Sequence, residues 1–128
     1  MCPDVGFGII DVRDVADMHY RALTVEGLRD ERFVCSGPFL KFIDVAHILT
    51  AKLGEQARKV PTRKMPDWLL KALAIFRPEL KQVVAELGNI RGGDSNHAMT
   101  TLGWTMRPPE EAILATAHSL IERGIVKL

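Results

Sequence analysis

Asp11-Val12-Arg13-Asp14 sets three charges within four residues, and a carboxylate next to a guanidinium can grip a polar ligand or close a salt bridge. Ligands of open α/β sheets bind outside the carboxyl ends of strands, so Asp11 and Arg13, just past an apolar run, are candidates to face a substrate cleft. A structural salt bridge between the two is the alternative reading. Trp68 and Trp104 could each line a pocket for an aromatic compound. Trp104 follows Gly103 at a helix end and reads as a packing anchor, which leaves Trp68 as the third substrate-binding candidate.

Other chemistries find less support. The histidines are His19, His47, His97 and His118, and no pair has the His-Glu-x-x-His spacing of a zinc hydrolase. Cys2 and Cys35 are too few for a four-cysteine zinc site or a disulfide scaffold, and both read as reduced, structural thiols. No metal site is expected. Arg58-Lys59 and Arg63-Lys64 form a basic patch that could meet a phosphate, but no aromatic residue is interleaved to stack a base. The patch reads as a solvated loop.

The elements that would position these residues follow from periodicity and breakers. Residues 1–8 read as irregular, with Pro3, Gly6 and Gly8 as breakers. Ile9 to Val12 reads as a first strand, and Asp14 as the cap of a helix with Val15, Met18, Ala22 and Val25 on one face. Arg32 to Ser36 reads as a second strand, closed by Gly37-Pro38. Strand, helix, strand is a crossover unit, so the two strands are expected to be parallel.

The rest reads as helical. A helix is expected from Leu40 to Leu53, stopped by Gly54, and Val60 to Pro66 is an extended connector because each proline biases its predecessor away from helix. Pro66 or Asp67 opens a helix through Phe76, Pro78 opens another that Gly88 stops, and Ser95 caps a short one ending at Leu102-Gly103. Pro108-Pro109-Glu110-Glu111 starts the last helix, with two acids at the positive end of its dipole.

Composition sets the outer bounds. A chain of 128 residues holds one domain with one core, and 47% hydrophobic with 26% charged residues is ordinary for a globular protein. A net charge of +1 gives no global attraction to nucleic acid or an anionic membrane, so neither is expected as a partner. The most apolar run, Trp68 to Phe76, is short and interrupted by Lys71, so no segment can cross a bilayer, and the expected location is the cytoplasm. A parallel sheet needs both faces covered and more than two strands. Two short strands followed only by helices therefore read as part of a larger sheet.

Five segments together resemble the C-terminal half of the extended short-chain dehydrogenases/reductases, the NAD-dependent epimerase/dehydratase family. They are Ile10 to Ala16, Arg32 to Gly37, Val60 to Leu69, Leu102 to Ile113 and Ser119 to Gly124, in that order and spacing. The Val60-Pro61-x-Arg63 and Pro66-x-Trp68-Leu69 portions are most similar to the dihydroflavonol reductase-like branch. Sugar-nucleotide epimerases of the family carry an arginine that approaches the nucleotide diphosphate. Aligned on Val12 and Asp14, Phe7 stands at that position and Asp11 where those enzymes have histidine. An apolar ring cannot neutralise a phosphate. The resemblance thus implies a small carbonyl substrate rather than a sugar nucleotide, a fragment of a sugar-nucleotide epimerase/dehydratase being an alternative.

What the resemblance implies about fold is an α/β fragment, mostly helical. Two short parallel strands with a crossover helix precede a helical substrate-binding lobe, and together they complete a Rossmann-type domain whose N-terminal part is absent. The whole of 1–128 is then a single C-terminal lobe with no dinucleotide-binding domain. The family's Gly-x-x-Gly-x-x-Gly turn has no counterpart. Gly6-Phe7-Gly8 meets Asp11 where a third glycine is needed, and Gly92-Gly93 follows no strong strand. The family's catalytic Tyr-x-x-x-Lys pair is missing too, because the single tyrosine, Tyr20, is followed four residues later by Thr24. The complete enzyme would use NAD or NADP, this chain alone would bind neither, and no catalytic residue is assigned to it. Its expected partners are the missing N-terminal cofactor-binding lobe, on the same or a separate chain, and a small-molecule carbonyl substrate, with homo-oligomers possible. The rival class is a non-catalytic ligand-binding or oligomerising module.

Overall fold

The computed structural model describes residues 1–126. The chain opens with a three-residue strand, β1 (Gly6–Gly8), and continues into α1 (Val12–Thr24). A long irregular stretch leads to β2 (Phe39–Lys41), α2 (Phe42–Leu53) and a 3-10 turn over Gly54–Ala57. Four further helices follow: α3 (Asp67–Phe76), α4 (Leu80–Ala85), α5 (Asn96–Leu102) and α6 (Pro109–Glu122). The class is α/β and mostly helical.

The two strands do not follow the expected arrangement. They pair antiparallel, with Gly6 opposite Lys41, Phe7 opposite Leu40 and Gly8 opposite Phe39. Neither Ile9 to Val12 nor Arg32 to Ser36 forms a ladder, and the expected parallel crossover is absent among the described residues. The glycines that read as breakers are what allow the observed ladder. A Cβ on Gly6 would fall 2.3 Å from the Leu40 carbonyl oxygen, so only glycine admits the partner strand there. Hydrogen bonds from Ile9 N–H to Pro38 O (3.1 Å) and from Phe42 N–H to Val5 O (2.9 Å) continue the pairing at both ends. Residues 1–8 are not irregular either: Cys2 bridges Lys64 in parallel, through Cys2 N–H to Arg63 O (2.8 Å) and Met65 N–H to Cys2 O (2.7 Å). The connector of residues 60–66 is thereby pinned to the N-terminus.

The core gathers on Trp104, which is fully buried and touches Met18 of α1 and Ala98 and Leu102 of α5. Ala22 of α1, Val25 just past its end, and Phe33 and Cys35 from the irregular stretch pack around this cluster. The indole N–H donates to the backbone oxygen of Asp14 (2.9 Å), so the ring's one polar group is satisfied inside. Gly103 ends α5 in the left-handed region (φ 58°), which turns the chain so that Trp104 enters the core. On the other side of the molecule α2 packs against α6, and α3 packs against α4.

Candidate functional site

Helix α1 begins one turn earlier than its apolar stripe indicates, and the reason fixes the site. Asp11, not Asp14, is the cap: its Oδ1 accepts the Arg13 N–H at 2.8 Å. The same carboxylate receives a two-pronged ion pair from the Arg13 guanidinium, Nε to Oδ1 at 2.8 Å and Nη2 to Oδ2 at 2.7 Å. Of the two alternatives open to Asp11 and Arg13, the salt bridge is present, and it leaves Arg13 half-exposed over a buried Asp11.

Asp14, freed from capping, lies buried and accepts the Arg107 N–H at 2.7 Å as well as the Arg107 guanidinium. Glu111 closes the cluster. Its Oε1 lies 3.0 Å from Arg13 Nη2 and 3.3 Å from Arg107 Nε. The N-terminal turns of α1 and α6 are thus joined through two arginines and three carboxylates. Arg107 and Glu111 were legible only as a helix start in the sequence, since nothing in local spacing shows that residues nearly a hundred positions apart meet.

The electrostatics set what this cluster can do. Hydrogen bonding from Arg13 lowers the Asp11 carboxyl from its usual 3.8 to about 2, against the opposing effect of burial. Asp11 therefore stays ionised at neutral pH and cannot serve as a general acid there. The Arg13 guanidinium is pushed up by the same hydrogen bond. Three acids against two bases leave no surplus positive charge to attract an anionic ligand. The group holds two helices in place and shapes the walls beside it.

Those walls enclose small cavities. One of about 360 Å³ lies between residues 10–13 and α6, lined by Ile10, Asp11, Arg13, Ala112, Thr116 and Ser119 among others. A second of about 290 Å³ is more apolar, walled by Phe7, Phe42, Leu49 and Ile113, and shares Ile10, Ala112, Thr116 and Leu120 with the first. The edge-to-face pair of Phe7 and Phe42, with ring centroids 5.4 Å apart, forms part of its wall. Asp11 and Arg13 are brought together at this site. Trp68 is not: it sits on the first turn of α3, 69% exposed, and lines none of the cavities described.

A dinucleotide finds no fit among the described residues. Gly6 and Gly8 are committed to the β1–β2 ladder rather than to a strand-to-helix turn. Gly93 packs on Ser36, whose Cβ would stand 2.6 Å from an added Cβ, so it offers no open cradle for a pyrophosphate. Tyr20 is exposed on α1, and Thr24, four residues on, spends its hydroxyl on the Tyr20 carbonyl. Both cysteines are free, and burial, with the nearby Asp14 charge, pushes the Cys35 thiol up. Among the described residues no group of three or more His, Cys, Asp or Glu could hold a metal ion, and no helix is long and apolar enough to cross a membrane.

Comparison with known proteins places the fold and not the function. No family model matches the chain, and no curated protein matches it. Among solved structures it is similar to the crystal structure of gox2253, with a TM-score of 0.74 and 22% sequence identity. The match covers 98% of this chain and 40% of that one. The present chain therefore spans less than half the length of that neighbour.

Proposed function

We propose that this chain is the substrate-binding portion of an NAD(P)-dependent oxidoreductase of the extended short-chain dehydrogenase/reductase type, acting on a small aldehyde or ketone and inactive alone. The observation that carries this reading is the stretch from Arg32 to Cys35. No backbone–backbone hydrogen bond among the described residues uses its amides or carbonyls. Yet its burial alternates as in a strand, with Phe33 and Cys35 against the core and Val34 51% exposed. Ser95 holds the end of the stretch, its hydroxyl bonded to both the N–H and the carbonyl of Ser36 at 2.9 Å. A segment with strand periodicity and an open row of donors and acceptors is an edge that awaits a neighbour. A fold neighbour of which this chain matches only 40% supplies the room for one.

In this reading the paired cavities beside Asp11 and Arg13 form the inner wall of the carbonyl site. Hydride donor and proton donor come from the missing lobe. No step of that reaction is carried by the residues of this chain.

Amide NMR spectra of the purified chain test the assignment. Small ketones and aldehydes are expected to shift signals from Ile10 to Arg13 and from Ala112 to Thr116, while NADH and NADPH shift none. Turnover of a carbonyl compound with either cofactor, or cofactor-induced shifts, would contradict the proposal.

A further inference from the structure

Helix α3 is apolar on both sides. Leu70 and Ala74 are buried on its inner side. On its outer side stand Trp68, Ile75 and Phe76, which are 69%, 76% and 83% exposed. Their spacing of i, i+7 and i+8 puts all three on one face, with Lys71 at its margin. A single exposed apolar residue is ordinary, but three large ones on one face of a helix form a patch that something covers.

Charge indicates what that is. Residues 58–81 contain seven basic and two acidic residues, a balance of +5, while the remainder of the chain has ten basic and fourteen acidic. The whole-chain value of +1 averages over this division. Arg58, Arg63, Lys71, Arg77 and Lys81 are all exposed. None of them forms an ion pair among the described residues. Two copies meeting through this face would bring two such positive clusters together, which opposes self-association. Aromatic and aliphatic side chains that stand outward from a helix, flanked by unpaired cations, match a surface that is apolar within and anionic at its rim.

We propose that α3 and its basic flanks dock on an anionic lipid surface, with Trp68, Ile75 and Phe76 entering the boundary between headgroups and acyl chains. The helix lies in the interface plane and does not span the bilayer. This face is separate from the Asp11–Arg13 cavities, and a native polypeptide whose further lobe covers Trp68, Ile75 and Phe76 would overturn the inference.

The chain's fluorescence supplies the assay, because Trp104 is fully buried and Trp68 is the exposed one of its two tryptophans. The intact chain is titrated with vesicles of phosphatidylcholine alone and of phosphatidylcholine with phosphatidylserine. Anionic vesicles are expected to shift the emission to the blue, with quenching by shallowly brominated lipid. Lys71→Gln and Arg77→Gln are each expected to weaken partitioning roughly fivefold. Trp68→Ser, followed by vesicle sedimentation, should weaken it about tenfold. Leu23→Ser removes a different exposed apolar residue, on α1, and should leave partitioning unchanged. Equal binding to neutral vesicles, indifference to the charge or Trp68 substitutions, or loss of binding in Leu23→Ser would overturn the proposal. So would a blue shift that tracks protein concentration without lipid, which would mean a second copy covers the face.

Discussion

Replacing Asp11 by alanine removes two interactions at once, and the structure separates them. The first is the cap, in which Oδ1 accepts the Arg13 N–H at 2.8 Å. Loss of an N-cap side chain costs about 1 kcal/mol, with a range of about 0.5–2. The second is the ion pair to Arg13, whose side chain is 51% exposed and keeps Glu111 at 3.0 Å. Solvent screening limits that pair to about 1 kcal/mol or less. Asp11→Ala should therefore destabilise by about 2 kcal/mol, or roughly 8 °C in Tm for a domain of this size. Asp11→Asn keeps a good capping residue and loses only the charge, so it should cost less than half as much.

The pH dependence has a definite sign. The folded-state carboxyl is lowered from 3.8 to about 2, so its contribution is fully present above pH 4 or so and is lost as pH falls toward 2. The stability gap between wild type and Asp11→Asn should close over that window. Urea unfolding followed by circular dichroism at several pH values measures all three quantities. If Asp11→Asn is as damaging as Asp11→Ala, charge rather than capping dominates and the assignment of Asp11 to the start of α1 is wrong.

Three further outcomes follow from the packing. Trp104→Ala should cost about 3–5 kcal/mol, since it empties a fully buried site and leaves the Asp14 carbonyl without its indole donor; chemical denaturation measures it. Ser95→Ala strands both backbone groups of Ser36 and should cost about 1–3 kcal/mol, with faster amide exchange at Ser36 than in wild type. Gly37→Ala would drive a Cβ to within 1.6 Å of the Ile9 carbonyl oxygen, a backbone atom that cannot step aside, so loss of the β1–β2 pairing is expected in NMR spectra.

The helices were legible in the sequence because their signals are local. The run from Asp67 to Phe76 is found where Pro66 and the apolar stretch indicate it, and α6 starts at the second of its two prolines. Gly103 ends α5 as its position suggests, and Trp104 turns out to be the packing anchor. The strands were not legible, because a strand is defined by its partner. Arg32 to Ser36 has the alternation of a strand but pairs with no ladder among the described residues, whereas Gly6 and Gly8 look like breakers and are chosen for close approach. The exchange of roles between Asp11 and Asp14 was hidden for a related reason. Both are good caps, and only the long-range approach of Arg107 and Trp104 reserves Asp14 for the interior. The α3 patch was half legible: the cations at 58–64 and the apolar run at 68–76 are visible in the sequence, but which of its residues face outward is set by the burial of Leu70 and Ala74.

Whether this chain is part of a larger fold is decided by the mass of the native polypeptide. Protein isolated from its source cells would be weighed intact under native conditions and again after denaturation. The account predicts either a single polypeptide roughly two and a half times this length, in line with the 40% coverage of the fold neighbour, or a tight complex with a second, cofactor-binding chain. A monomer or homo-oligomer of intact 128-residue chains that unfolds cooperatively would contradict it, and would assign the open edge at Arg32 to Cys35 to a module that works without a catalytic partner.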